Sequence, residues 1–184
     1  MENVKQSYTN ISAKWAVIYV IASIVITYTF QFLNIDQSSS ARYLAYIPFI
    51  VFLLLAQKEY KDQLGGFVTF GKSFMAGFTY SVIAGVILAV FVYIYLGILS
   101  PQVLEQSLAS QHDKLVENGM SSEQIEQATE MGRKYGAIFG GVAVLFFTPI
   151  TGAIIALIGA AIFKKERSIL DIEQNSDANT DPAV

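Results

Sequence analysis

The stretch KEYKDQLGGFVTFGKSF, Lys58 to Phe74, separates two apolar runs, and its reading decides how the rest of the chain is arranged. A glycine pair, a third glycine and several aromatics beside a hydrophobic run suit a pore element, a hinge or a surface turn. A filter-like pore element needs a glycine-rich loop whose carbonyls line a cavity inside the protein. Here Lys58, Glu59, Lys61 and Asp62 at one end and Lys72 at the other place both ends in a headgroup or aqueous layer. Leu64, Phe67, Phe70 and Phe74 recur at three- to four-residue spacing. After the Gly65 and Gly66 break the segment is therefore expected to lie as a short amphipathic helix at the interface before the chain turns inward.

The interface in question is that of a membrane. Hydrophobic residues make up 53% of the 184 residues and charged ones only 15%, against about 25% charged in a water-soluble domain. Four runs carry no charge at all: Trp15 to Ile35, Tyr43 to Gln57, Ser73 to Leu104 and Tyr135 to Phe163. A hydrocarbon core of about 30 Å takes about 20 helical residues, so the first, third and fourth runs can each cross alone. The second crosses when Ser38 to Arg42 are added, with the Arg42 guanidinium reaching the headgroups along its own stem. An interfacial or re-entrant segment is its competing reading. The expected fold is all-α: a transmembrane bundle of four helices at about 15–33, 38–57, 74–99 and 135–163, forming one domain over residues 1–167. Residues 168–184 are polar and are expected to form a flexible tail.

Charge sets the orientation. Lys5, Lys14, Lys58, Lys61, Lys72, Lys164, Lys165 and Arg167 fall on the side that holds both termini, and Arg42, Lys114, Arg133 and Lys134 on the other. The positive-inside rule then puts both termini in the cytoplasm and the 100–134 loop outward. That loop is itself helical in pattern: Pro101 stands in a first turn, Val103, Leu104, Leu108, Leu115 and Val116 share a partly apolar face, and Gly119 ends it. Ser121 and Gln124 form a possible capping box, with Glu123 and Glu126 in the first turns of a helix that runs on into the fourth span. The excess of acids in the loop marks a solvated face or, more sharply, a surface for a partner.

Small residues at every fourth position mark faces where helices approach closely in lipid. The third span has Gly77, Ser81, Gly85 and Ala89, and the fourth has Gly132, Gly136 and Gly140, then Gly152, Ala156 and Ala160. Packing within the chain and a seam between two copies are both open readings. Pro149, between Thr148 and Ile150 in mid-span, is expected to kink the last helix.

No ionisable residue lies inside the four runs, so the groups that proton-coupled carriers and intramembrane proteases need are missing. The single histidine, His112, stands beside Asp113 in the polar loop, and there is no cysteine. Catalytic, cofactor and metal sites are accordingly not expected, and a net charge of −3 gives no basic footprint for nucleic acid. The expected partners are the lipid bilayer and either another membrane protein or a second copy.

The segment Leu64, Gly65, Gly66, Phe67, Val68, Thr69, Phe70, Gly71, Lys72, Ser73, Phe74 resembles the signature of the domain of unknown function 4199 family, small bacterial four-helix inner-membrane proteins. The aromatic exit YIYL at Tyr93 to Leu96 and the closing FKKE at Phe163 to Glu166 are similar too. The resemblance implies fold, topology and an inner-membrane location, and no activity. Two functions fit: a non-enzymatic accessory, scaffold or envelope component, or an oligomeric channel or facilitator using the small-residue faces of spans three and four. Reporter fusions at the C-terminus and at Gly119 test the orientation; the expected signals are inside and outside respectively, and an outward C-terminus contradicts it.

Overall fold

A computed structural model describes residues 7–33, 43 and 46–166. The start of the expected second span, Arg42, Arg167 and the 168–184 tail lie outside the described residues. The elements are α1 (Tyr8–Phe32), α2 (Tyr46–Gln63), α3 (Phe70–Ile94), a π-helical turn (Tyr95–Leu99), α4 (Pro101–Glu117) and α5 (Ser122–Phe163). Among the described residues three stretches are long and apolar enough to cross a membrane: Tyr8–Phe32, Phe70–Leu99 and Ser122–Phe163. Helix α2 does not join them, because its 18 residues end in Lys58, Glu59, Lys61 and Asp62.

The expected interfacial helix between spans two and three is corrected. Lys58 to Gln63 continue α2, which stops only at Leu64. The stop is a left-handed cap: Gly65 has φ +77° and Gly66 +84°, Gly65 N–H donates to Asp62 O at 3.0 Å, and Gly66 N–H to Lys61 O at 3.0 Å. Those two bonds satisfy carbonyls that the last turn leaves open, and glycine meets the positive φ without a Cβ penalty. Val68 then pairs with Lys165 through two backbone bonds of 2.9 and 3.0 Å. With Leu64 to Thr69 taken up by the cap and the bridge, no residues remain for a separate helix, and Phe70 and Phe74 fall in the first turns of α3.

By contact the chain divides into two compact units, Met1–Tyr80 with Gly152–Val184, and Ser81–Thr151. In the first, α1 lies against α2 through Trp15 stacked on Phe52 at 5.7 Å and Tyr19 edge-on to Phe49 at 5.2 Å. Its interior mixes apolar side chains such as Ile11, Leu53 and Ala76 with polar ones, and its outer face is apolar. Ser12, Gln57 and Ser73 are fully buried, while Ile154, Ile158 and Ile162 are exposed. Exposed apolar faces on this scale belong against lipid.

Polar side chains join the helices of this unit. Ser12 Oγ donates to Ala76 O at 2.7 Å, and the Gln57 amide nitrogen donates to Ser73 O at 3.0 Å and Ala156 O at 2.9 Å. One α2 side chain thereby reaches carbonyls of both α3 and α5. Close approach makes this possible: a Cβ added to Gly77 would lie 2.8 Å from the Ala156 Cβ and 2.9 Å from the Gln57 nitrogen, and one at Gly159 would overlap the Gln57 oxygen. That oxygen is buried without a hydrogen-bond partner.

In the second unit the rest of α3, the π-helical turn and α4 run back along α5. A Cβ at Gly85 would sit 3.2 Å from Pro149 Cδ, and one at Gly141 3.0 Å from Ala89 O. Leucines fill the glycine positions beyond: Leu96 stands against Gly140, Leu104 against Gly136 and Leu108 against Gly132. Helix α5 is helical from Ser122 to Phe163 with Pro149 inside it.

Gln57→Ala is expected to cost about 2 kcal/mol, from two hydrogen bonds and a cavity. Gln57→Leu should stay within about 1 kcal/mol, since it also removes the unpartnered oxygen. Gly159→Ala should destabilise the natural chain much more than the Gln57→Ala chain, where only the flexible Leu54 methyl, 2.7 Å from the added Cβ, still has to move. Reversible unfolding in mixed micelles measures the coupling; additive effects contradict the contact.

Candidate functional site

Within the apolar helices Ser12 and Gln57 join neighbouring helices, and the charged side chains gather where the helices leave their apolar stretches. One such end gathers Lys14, Trp15 and Glu59: the Glu59 carboxylate accepts from Lys14 Nζ at 2.5 and 2.6 Å, from Trp15 Nε1 at 2.7 Å and from Gln63 at 3.4 Å. Its oxygens are thus engaged four times over by neighbours, which suits an anchor and leaves no free base. The segment Leu64 to Phe74 builds the cap and bridge described above. Lys72 and Gly71 are exposed at the start of α3, and Lys165 Nζ stands 5.1 Å over the Phe67 ring. Nothing in that turn pairs an acid with a nucleophile.

The other polar region is the hairpin of α4 and the first half of α5, and local sequence explains its shape. Pro101 occupies the first turn of α4, where its missing N–H is of no consequence. The helix ends at Gly119, φ +75°, with Gly119 N–H donating to Val116 O at 3.0 Å and Met120 N–H to Leu115 O at 3.1 Å. Ser121 and Gln124 form the reciprocal cap of α5: Ser121 N–H donates to the Gln124 oxygen at 3.1 Å, and Gln124 N–H to Ser121 Oγ at 3.3 Å.

Arg133 ties the two helices together. Its Nε and Nη2 donate to the two Glu105 oxygens at 2.8 and 2.9 Å, a bidentate pair in which planar guanidinium matches planar carboxylate. The hydrogen bonds from Arg133 hold the Glu105 carboxyl below its ordinary value, and those same bonds push Arg133 up. Both side chains are solvent-exposed, so the pair sets register more than stability.

Two open clefts flank this pair. One, of about 430 Å³, is lined by His112, Val116, Ile125, Glu126, Glu130 and Arg133. The other, of about 350 Å³, lies beside the π-helical turn and is lined by Leu96, Ile98, Glu105, Lys134, Ala137 and Ile138 among others. His112 is half-exposed, with Nδ1 3.6 Å from Asp113. Among the described residues no cluster of three His, Cys, Asp or Glu could hold a metal. The arrangement can hold a ligand or partner by non-covalent contact.

The small residues of the sequence reading are distributed over both units. Gly77 and Ala156 meet one another, Ser81 and Gly152 are buried, Gly85 stands against Pro149, Ala89 against Gly141, and Gly136 and Gly140 receive leucines. Gln57, the Glu105–Arg133 pair and the two clefts were missed by the sequence reading. Pro101, Gly119, the i, i+3 cap signal and the leucine spacing of α4 pointed toward the hairpin itself.

Over residues 14–165 the chain matches the family described as "Protein of unknown function (DUF4199)", and it belongs to that family. No curated protein and no solved structure matches it.

The Glu105 effect has a defined sign. A carboxyl held below its unfolded value adds stability above the ordinary carboxylate range, and the contribution disappears as pH falls through the lowered value. Amide-exchange protection of α4 should therefore persist at neutral pH and decline below about pH 4. Arg133→Gln should lower the neutral protection and flatten that decline; an unchanged profile contradicts the pairing.

Proposed function

We propose, with membership of this family as the premise, that the chain is a multi-pass bacterial inner-membrane protein acting without catalysis, as an accessory or scaffold. Its contact surface is the α4–α5 hairpin. In this reading α2 is a fourth, short span, both termini are cytoplasmic, and the hairpin faces outward. The observation that carries it is the contrast between the regions: polar groups inside the apolar helices are engaged in packing, whereas the hairpin is capped at both helix ends, cross-tied by Arg133 and Glu105, and open to solvent.

The alternative, an oligomeric channel lined by the small-residue faces of α3 and α5, finds less support. Gly77, Gly85, Gly136 and Gly140 already meet side chains of the same chain, so these faces are not free grooves for a second copy. Crosslinking in native membranes followed by mass spectrometry tests the scaffold reading. A recurrent partner joined through Lys114 is expected; recovery of only random abundant neighbours overturns it.

A further inference from the structure

The π-helical turn is the one departure from α-helical geometry in the otherwise continuous apolar stretch Phe70–Leu99. Its widened ring is closed by Ser100 N–H donating to Tyr95 O at 2.7 Å, and such turns recur at functional positions because they alter helical register at a local cost. This one stands where the apolar stretch ends, and a stretch that crosses a bilayer ends where hydrocarbon gives way to headgroups.

The cleft beside it is two-faced. Leu96, Ile98, Ala137 and Ile138 supply an apolar floor, and Ile98 is 68% exposed. The charged rim holds Glu105, Arg133 and Lys134. Arg133 and Glu105 neutralise one another through two hydrogen bonds, so their charges cancel at the cleft. Lys134 is exposed and makes no ion pair among the described residues; its Nζ rests 5.2 Å from the Tyr135 ring centroid. One net positive charge thus stands above an apolar slot at the membrane boundary. Gly97 keeps the slot open: a Cβ there would reach the Ala137 Cβ at 3.5 Å, so any longer side chain would occupy the space.

We propose that this cleft is a binding site for an anionic phospholipid, with the headgroup phosphate at Lys134 and an acyl chain along Leu96, Ile98 and Ile138. The occupant is a lipid and not a small free anion because most of the slot is apolar, and a phosphate alone would leave that surface uncovered. A zwitterionic headgroup carries its own cation beside the phosphate, so it gains less from Lys134. The proposal goes beyond the scaffold reading and does not depend on any protein partner.

The test uses the purified full chain in detergent, with native mass spectrometry and unfolding midpoints. Phosphatidylglycerol, phosphatidylcholine and inorganic phosphate are titrated separately. Phosphatidylglycerol should be retained and should raise the midpoint well above the effect of the other two. Lys134→Gln, at an exposed position, should weaken its retention about fivefold, the factor one lysine contributes at an anionic lipid surface. Gly97→Leu should abolish retention by filling the slot. Equal retention of the two lipids, an equal response to phosphate alone, or retention unmoved by both variants overturns the proposal. So does a loss that appears instead in the Lys61→Gln, Lys72→Gln, Lys165→Gln variant, which would move the lipid to the basic turn.

Discussion

The Gln57 amide fixes where three helices meet in the first unit. An amide in an apolar interior must find partners, and here the partners are the carbonyls of Ser73 and Ala156 on two other helices. Reaching both requires the backbones to come close, which Gly77 and Gly159 permit by lacking Cβ atoms. From that crossing point α2 continues another turn and a half to Gln63, where the Gly65 cap stops it and the Val68–Lys165 bridge ties the turn to the end of α5. The Leu64 to Phe74 segment thus closes the chain just beyond the point where the three helices meet. Gly65 and Gly66 serve backbone conformation, Val68 serves pairing, and Ser73 offers its carbonyl to Gln57.

Helix α5 supplies the second constraint. Its 42 residues extend about 63 Å, roughly twice the hydrocarbon thickness, so part of it must project into water. Along it, Gly140, Gly136 and Gly132 each take a leucine from the chain that runs back beside it, the last two from α4. The same small-residue spacing that packs helices in lipid therefore carries packing into the polar hairpin, where Arg133 and Glu105 add a directional tie.

Much of this was legible in the sequence, for stated reasons. Charge-free runs mark α1, α3 and the second half of α5, because burial in lipid excludes charge along a whole helix. The α4 boundaries followed from Pro101 and Gly119, and the α5 start from Ser121 and Gln124, since caps are local chemistry. The extension of α2 was not legible: Lys58, Glu59, Lys61 and Asp62 read as an aqueous turn, whereas the cap at Gly65 lets a charged last turn stay helical. Gln57 stood at the edge of an apolar run, and its partners lie 16 and 99 residues away in sequence. The Glu105–Arg133 pair and the π-helical turn depend likewise on how α3 and α4 align with α5, and no local pattern records that alignment.

On this account α3 and the turn that continues it pack against α5 within one chain. The chain has no cysteine, so a pair can be introduced cleanly at Gly97 and Ala137, whose Cβ positions lie 3.5 Å apart, the separation a disulfide spans. Oxidation of the Gly97→Cys, Ala137→Cys chain in membranes should give a disulfide inside a monomer, with no change in mass on a non-reducing gel. A disulfide-linked dimer, or two thiols that stay free, would contradict the account.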